Sequence, residues 1–171
     1  MKEIGLLVLS TLISFGAFSD IHGVKGGLVV CIGADAVEQV SNHWNNDRYT
    51  FQCLETSNEK VSNLRKNILA AGCNGKVSAA KFDGQHLPYI NNLVNLLVVG
   101  DGFKVPNSEI VRVRAPYGSA VVNGKTVTKP YPKEMDEWPQ NLHGADNNCV
   151  AQDTVVGPPR HVQWISGPAW T

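Results

Sequence analysis

The chain has 171 residues, with 15 basic and 15 acidic side chains and a formal net charge of zero. It carries no basic block and no stripe of interleaved basic and aromatic residues, so neither nucleic acid nor an anionic membrane surface is indicated as a partner. A chain of this size builds one domain with a real core and a tail, not two full domains.

At the N-terminus Lys2 precedes an apolar run over residues 4–18, and Ala17-Phe18-Ser19 supplies the small-residue pattern of a processing site. Residues 1–19 therefore read as a signal peptide, with the mature chain starting near Asp20 in a secreted or periplasmic setting. The run is shorter than the ~20 residues of a membrane span and is broken by Ser10, Thr11, Ser14 and Gly16. No membrane association is expected beyond the signal.

Residues 20–122 form the expected folded domain. From Gly27 onward, short β-rich runs alternate with helical periodicity, the pattern of a parallel sheet with crossover helices. Five strands are predicted, over 28–32, 49–54, 77–82, 94–99 and 119–122, each apolar on both faces as buried parallel strands are. The fold class is α/β, a Rossmann-like parallel sheet of order 3-2-1-4-5 with flanking helices. The clearest helix starts at Thr56, where Thr56 and Glu59 have capping-box spacing, carries Val61, Leu64, Ile68 and Leu69 on one side, and stops at Gly72. A second helix is predicted over 37–44, with Val37, Val40 and Trp44 on one face, and a third over 109–113.

Residues 123–171 change character. Pro130, Pro132, Pro139, Pro158, Pro159 and Pro168 interrupt any long helix, and Trp138, Trp164 and Trp170 bring more apolar surface than an irregular tail buries by itself. The expectation is that the sequence is a fragment of a longer protein. Of the four cysteines, Cys31 and Cys53 sit in strand-like runs and read as buried thiols, while Cys73 and Cys149 lie in loop-like contexts and read as the reactive or paired ones. His22, His43, His86, His143 and His161 show neither metal spacing nor a triad order and read as surface or helix-end histidines.

The residues that carry chemistry sit at predicted strand ends. Strand one runs into the turn Gly33-Ala34-Asp35, where an α/β fold brings backbone close to a ligand. Strand two ends in Glu55, about twenty residues further on, where a carboxylate accepts both hydroxyls of a ribose. Glu55 has a second reading, as a helix first-turn acid favoured by the dipole. Strand three runs into Asp83-Gly84, an acid able to accept from the exocyclic amine of a purine beside a glycine that lets a ring approach; the same pair also makes a simple turn.

Together these residues resemble the class I methyltransferases that use S-adenosylmethionine, over roughly residues 27–122. In that resemblance Gly33 matches the first glycine of the cofactor loop, Glu55 the ribose-binding acid and Asp83 the acid near adenine. Leu87-Pro88-Tyr89-Ile90-Asn91-Asn92 matches the approach to strand four, and the stretch from Ile110 to Gly118 the segment before strand five. It implies cofactor contacts at Gly33, Ala34, Asp35, Glu55, Asp83 and Gly84, and identifies no catalytic residue and no metal ligand. Asp35 and Val37 stand where the family usually has its second and third glycines, and Asn95 where it often has an acid at the start of strand four. A branched Val37 is expected to crowd the turn and Asp35 to repel the cofactor's carboxylate, leaving an eroded, weak S-adenosylmethionine site.

A second resemblance lies in the tail. Asp136-Glu137-Trp138-Pro139-Gln140-Asn141-Leu142-His143-Gly144, then Asn147-Asn148, Gly157-Pro158-Pro159 and Gln163-Trp164, look like the entry of a quinoprotein-like (PQQ-like) β-propeller. It implies that most of a propeller follows Thr171, since such repeats bury their faces only against neighbours. Two functions follow: a methyltransferase-like domain of an exported multidomain protein with little or no catalysis, or an active small-molecule methyltransferase. Export favours the first, because the cofactor is made in the cytosol.

Overall fold

The computed structural model describes residues 20–145 and 148–155. The signal-peptide expectation for 1–19 and the propeller motifs at Asn147 and beyond residue 155, with Trp164 and Trp170, lie outside the described residues. Chain entry is fixed by Tyr49, whose hydroxyl donates to the Val24 carbonyl (2.7 Å) and accepts from the Ile21 amide (3.3 Å).

Six strands form one sheet, β1 (Gly27–Ile32), β2 (Tyr49–Glu55), β3 (Val77–Lys81), β4 (Val94–Val99), β5 (Arg114–Val122) and β6 (Lys125–Thr128). Their order is β3-β2-β1-β4-β5-β6, so the predicted 3-2-1-4-5 arrangement is present and β1 is central. The first five strands pair in parallel; β6 adds antiparallel to β5. The expected domain end at Val122 therefore falls inside a hairpin. Asn123 (φ 50°) and Gly124 (φ 71°) make its two-residue turn, the Asn-Gly pairing that a tight hairpin needs because both positions are left-handed. β5 also starts earlier than expected, at Arg114, with a register irregularity before Leu96 pairs Ser119.

Helices α1 (Ala34–Val40, continued by a 3-10 turn at Ser41–His43), α2 (Asn58–Ala70) and α3 (Asn107–Val113) supply the crossovers. The stripe Val37, Val40 and Trp44 is buried as its spacing predicts, though α1 begins three residues before the predicted start. In α2 the capping box does not form. Ser57 is the N-cap, with no side-chain cap bond, so position three of the helix is Lys60 and Glu59 is one residue out of phase. Val61 and Ile68 are buried and Leu64 packs against the same cluster, but Leu69, one step round the helix, is exposed. Gly72, at φ 67°, ends the helix as expected.

Two apolar clusters cover the two sheet faces. One joins Val29, Cys31, Phe51 and Cys53 to α1 and α2; the other joins Val30, Ile32, Leu54 and Leu97 to Ile110 and Val113 of α3 and to Phe82 and Leu87. All four cysteines are free thiols. Cys73 corrects the sequence reading: it is buried, with Sγ 3.4 Å from both Asn45 Oδ1 and the Ala71 carbonyl, leaving Cys149 as the exposed thiol. His143 is likewise no surface histidine, since only 11% of its side chain is exposed, its Nε2 lies 2.7 Å from Asp136 Oδ2 and its ring meets Trp138 edge-on. Among the described residues no helix is long and apolar enough to cross a membrane.

Candidate functional site

In a doubly wound sheet the ligand crevice lies outside the carboxyl ends of the strands where the order reverses, here beside β1. Ile32 pairs with Leu54 on one side and Val99 on the other, and Glu55 pairs with Lys81. Neighbouring strands lie ~4.8 Å apart. Gly33 after β1, Glu55 at the end of β2 and Asp83 after β3 therefore sit on successive strands along one edge.

Gly33 is held in a conformation that only glycine adopts freely, φ 89° and ψ 160°. Its amide donates to the Leu54 carbonyl (3.0 Å), and its carbonyl receives the Val37 amide (3.2 Å) to open α1. Ala34 and Asp35 are exposed in the first turn of that helix. Val37 does not crowd the turn: its side chain points into the apolar cluster with Val29 and Cys31, so the third-glycine departure removes no space from the crevice. Asn95 is also clear of it. It stands at the opposite edge, accepting from the Leu28 amide (2.9 Å) against Gly27, where it ties β4 to the start of β1.

Glu55 is the unusual group. It is only 1% exposed, and neither carboxylate oxygen has a hydrogen-bond partner. Its nearest counter-charge is Lys60, 62% exposed, with Nζ at 3.9 Å, the outer limit of an ion pair. Burying a polar group without a partner costs ~1–3 kcal/mol on mutational scales, and an unpaired charge more. Glu55 and Ala34 line an open cavity of about 220 Å³, walled on the α2 side by Lys60, Asn63, Leu64 and Asn67. That is smaller than the ~300–1,000 Å³ of whole-ligand pockets, so it suits a fragment such as a sugar. A wider cleft of about 550 Å³ lies by the far end of α2, between Arg65, Leu69, Asn74 and Val77, and contains none of the expected site residues.

Asp83 is exposed and already engaged. Its Oδ1 accepts from the amides of Gln85 (2.7 Å) and His86 (2.6 Å), and Oδ2 lies 3.0 Å from His86 Nδ1. Those bonds, the Gln85 amide first, pull its carboxyl down to about 2. Gly84, at φ 86°, makes the turn this capping requires, with room beside Thr56. Lone pairs remain on a carboxylate so used, and they face solvent.

Five residues beyond the predicted set shape this edge. Glu109 Oε2 accepts from the Leu87 amide (3.0 Å), while Arg112 donates to the carbonyls of Leu87 (3.1 Å) and Tyr89 (2.7 Å) and pairs with Glu109. This clamp fixes the approach to β4, and Arg112 together with the Leu87 amide holds the Glu109 carboxyl at about 2. Burial in turn pushes the Tyr89 hydroxyl, which donates to Gln52 Oε1 (2.9 Å), above its usual range. Gly100 after β4 donates to the Ile32 carbonyl (2.8 Å). Phe103, further along that loop, lies against Gly33 and stacks on Phe82, with ring centroids 6.3 Å apart. The Glu109–Arg112 spacing of three was a legible signal for a helix pair; nothing in the sequence marks Phe103. No cluster of three or more His, Cys, Asp or Glu side chains among the described residues is placed to hold a metal.

The sequence matches no protein-family profile and no curated protein. Its backbone does match solved structures. An S-adenosylmethionine-dependent methyltransferase from Aquifex aeolicus aligns with TM-score 0.51 and 17% identity, over 58% of this chain and 57% of its own. A protein from Galdieria sulphuraria assigned as a sarcosine dimethylglycine methyltransferase aligns with TM-score 0.51 and 16% identity, over 58% and 40%. One from Methanococcus maripaludis, assigned as S-adenosylmethionine-dependent, aligns with TM-score 0.50 and 20% identity, over 58% and 48%. The chain spans about half the length of these neighbours. The likeness is one of fold, a Rossmann-like α/β methyltransferase fold.

Proposed function

We propose that this domain binds the nucleoside part of S-adenosylmethionine through Glu55 and performs little or no methyl transfer. The observation that carries the reading is the buried carboxylate with two unpartnered oxygens at the end of β2, lining a sugar-sized cavity. A vicinal diol satisfies both oxygens at once and removes the penalty of their burial. The residues fit the group in part. Glu55 would hold the ribose, and Asp83 with Gly84 has lone pairs and space for the purine amine, while the turn at Gly33 is covered by Phe103 and flanked by the charge of Asp35. When bound, S-adenosylmethionine supplies an electrophilic methyl group. What the chain contributes is orientation of the nucleoside and exclusion of water from Glu55, and no side chain is assigned as a general base.

Calorimetric titration with S-adenosylmethionine, and separately with adenosine, tests the reading. Both are expected to bind through the shared nucleoside, with Kd on the order of 0.1 mM or weaker, about −5.5 kcal/mol at best. Micromolar binding of the full cofactor with adenosine much weaker would put the active small-molecule methyltransferase first. The reading also takes the domain as exported, from the pattern of residues 1–19, and as followed by a PQQ-like propeller, from the tail motif. The reading frame past Thr171 tests the second part.

A further inference from the structure

Between β4 and α3 the chain crosses the mouth of the crevice in a short loop, residues 100–106. Its two inner glycines differ. Gly100 is locked, since a Cβ there would stand 2.8 Å from the Ile32 carbonyl and 3.3 Å from the Ala36 amide. Gly102, at φ 87°, has nothing within 4 Å of that position, and the Phe103 amide donates to the Gly100 carbonyl (3.4 Å), so of the two glycines only Gly100 is packed against the neighbouring strand and helix. Phe103 comes next. A Cβ on Gly33 would be 2.5 Å from its Cε2, which means the ring rests directly on the Gly33 backbone. Its other neighbour is Phe82, nearly parallel at 26° and one residue before Asp83.

The half-buried ring of Phe103 thus spans from the turn after β1 to the end of β3. That is the ground a nucleoside must cross if its ribose is held by Glu55 and its base lies toward Asp83. We propose that Phe103, resting on the Gly33 turn and on Phe82, is a gate over this crevice that a purine nucleoside displaces on binding. The inference rests on the nucleoside reading of Glu55. A gate that is mostly closed lowers apparent affinity by the fraction of open molecules, without weakening any contact in the bound state. It also gives selectivity, because a ligand that does not hold the open form gains nothing from it.

Calorimetry of the full chain with adenosine tests the gate, comparing wild type, Phe103→Ala, Phe103→Leu and Glu55→Gln. Phe103→Ala is expected to bind at least tenfold more tightly than wild type, Phe103→Leu several-fold more tightly, and Glu55→Gln to lose binding. Should Phe103→Ala not fold, Phe103→Leu keeps an apolar side chain on Phe82 and decides by itself. Equal affinity in wild type and both Phe103 variants, with loss only in Glu55→Gln, overturns the gate and leaves the Glu55 reading standing. No binding by any variant overturns both, because an opened crevice would then hold no nucleoside site.

Discussion

Glu55→Met is expected to make the ligand-free domain more stable while destroying its response to nucleoside. The wild-type carboxylate is 1% exposed and lacks hydrogen-bond partners, so its removal recovers ~1–3 kcal/mol of burial penalty. The loss is the Lys60 contact at 3.9 Å, which with Lys60 62% exposed is a surface-type pair worth ~0–1 kcal/mol. Methionine adapts to irregular space and fills the carboxylate's volume without a polar atom that needs a partner. The net gain is about 0–3 kcal/mol, or a rise in Tm of up to about 12 °C for a chain of this size. Circular dichroism melts with and without adenosine are the assay: adenosine should raise the wild-type Tm and leave that of the variant unmoved. A variant less stable than wild type by 1 kcal/mol or more would refute the reasoning, because the carboxylate would then be a satisfied structural group.

Gly33→Ala adds left-handed backbone strain of ~1–3 kcal/mol and an overpacking term of ~1–3 kcal/mol against the Phe103 ring. In a Phe103→Ala background only the strain remains, so urea melts should show a coupling of about 1–3 kcal/mol, and equal costs in both backgrounds would remove the contact. Asp83 and Glu109 both have carboxyls lowered to about 2, against ordinary values of 3.8 and 4.5. The unfolded chain binds more protons in that window, so their contribution is complete above about pH 4.5 and is lost as pH falls toward 2. Protection of the Leu87 amide from exchange, relative to its intrinsic rate at each pH, should therefore fall over this range before that of the sheet amides, and Glu109→Gln should flatten the effect. Of the four thiols only Cys149 should react with a thiol reagent in the native chain, the other three reacting after denaturation. N-terminal sequencing of bacterially exported material should begin near Asp20.

The strand order was legible because buried parallel strands announce themselves as apolar runs, and β1, β2 and β4 are buried on both faces. The positions of Glu55 at the end of β2 and of Gly33 in the turn after β1 were legible from their spacing along that pattern. β6 was missed although Asn123-Gly124 marks a hairpin, because its four residues are all exposed and carry no apolar alternation. The capping box failed on phase: one residue of shift at Ser57 moves Glu59 off the position that reaches back. Val37 was assigned to the turn because sequence gives order along the chain, not direction, and the helical stripe that turns it into the core is the same stripe that placed Val40 and Trp44. Phe103 was out of reach altogether, since its contact with Gly33 joins loops seventy residues apart.

The central claim is that the buried Glu55 carboxylate holds a vicinal diol, and the direct measurement is calorimetry of the wild-type chain with adenosine against 2′,3′-dideoxyadenosine. The two ligands share the base and differ only in the hydroxyls that would meet the carboxylate. Hydrogen bonds to a charged group contribute ~1.5–3 kcal/mol, so the dideoxy compound should bind at least about tenfold more weakly. Equal affinity for the two, or binding of neither, would contradict the account.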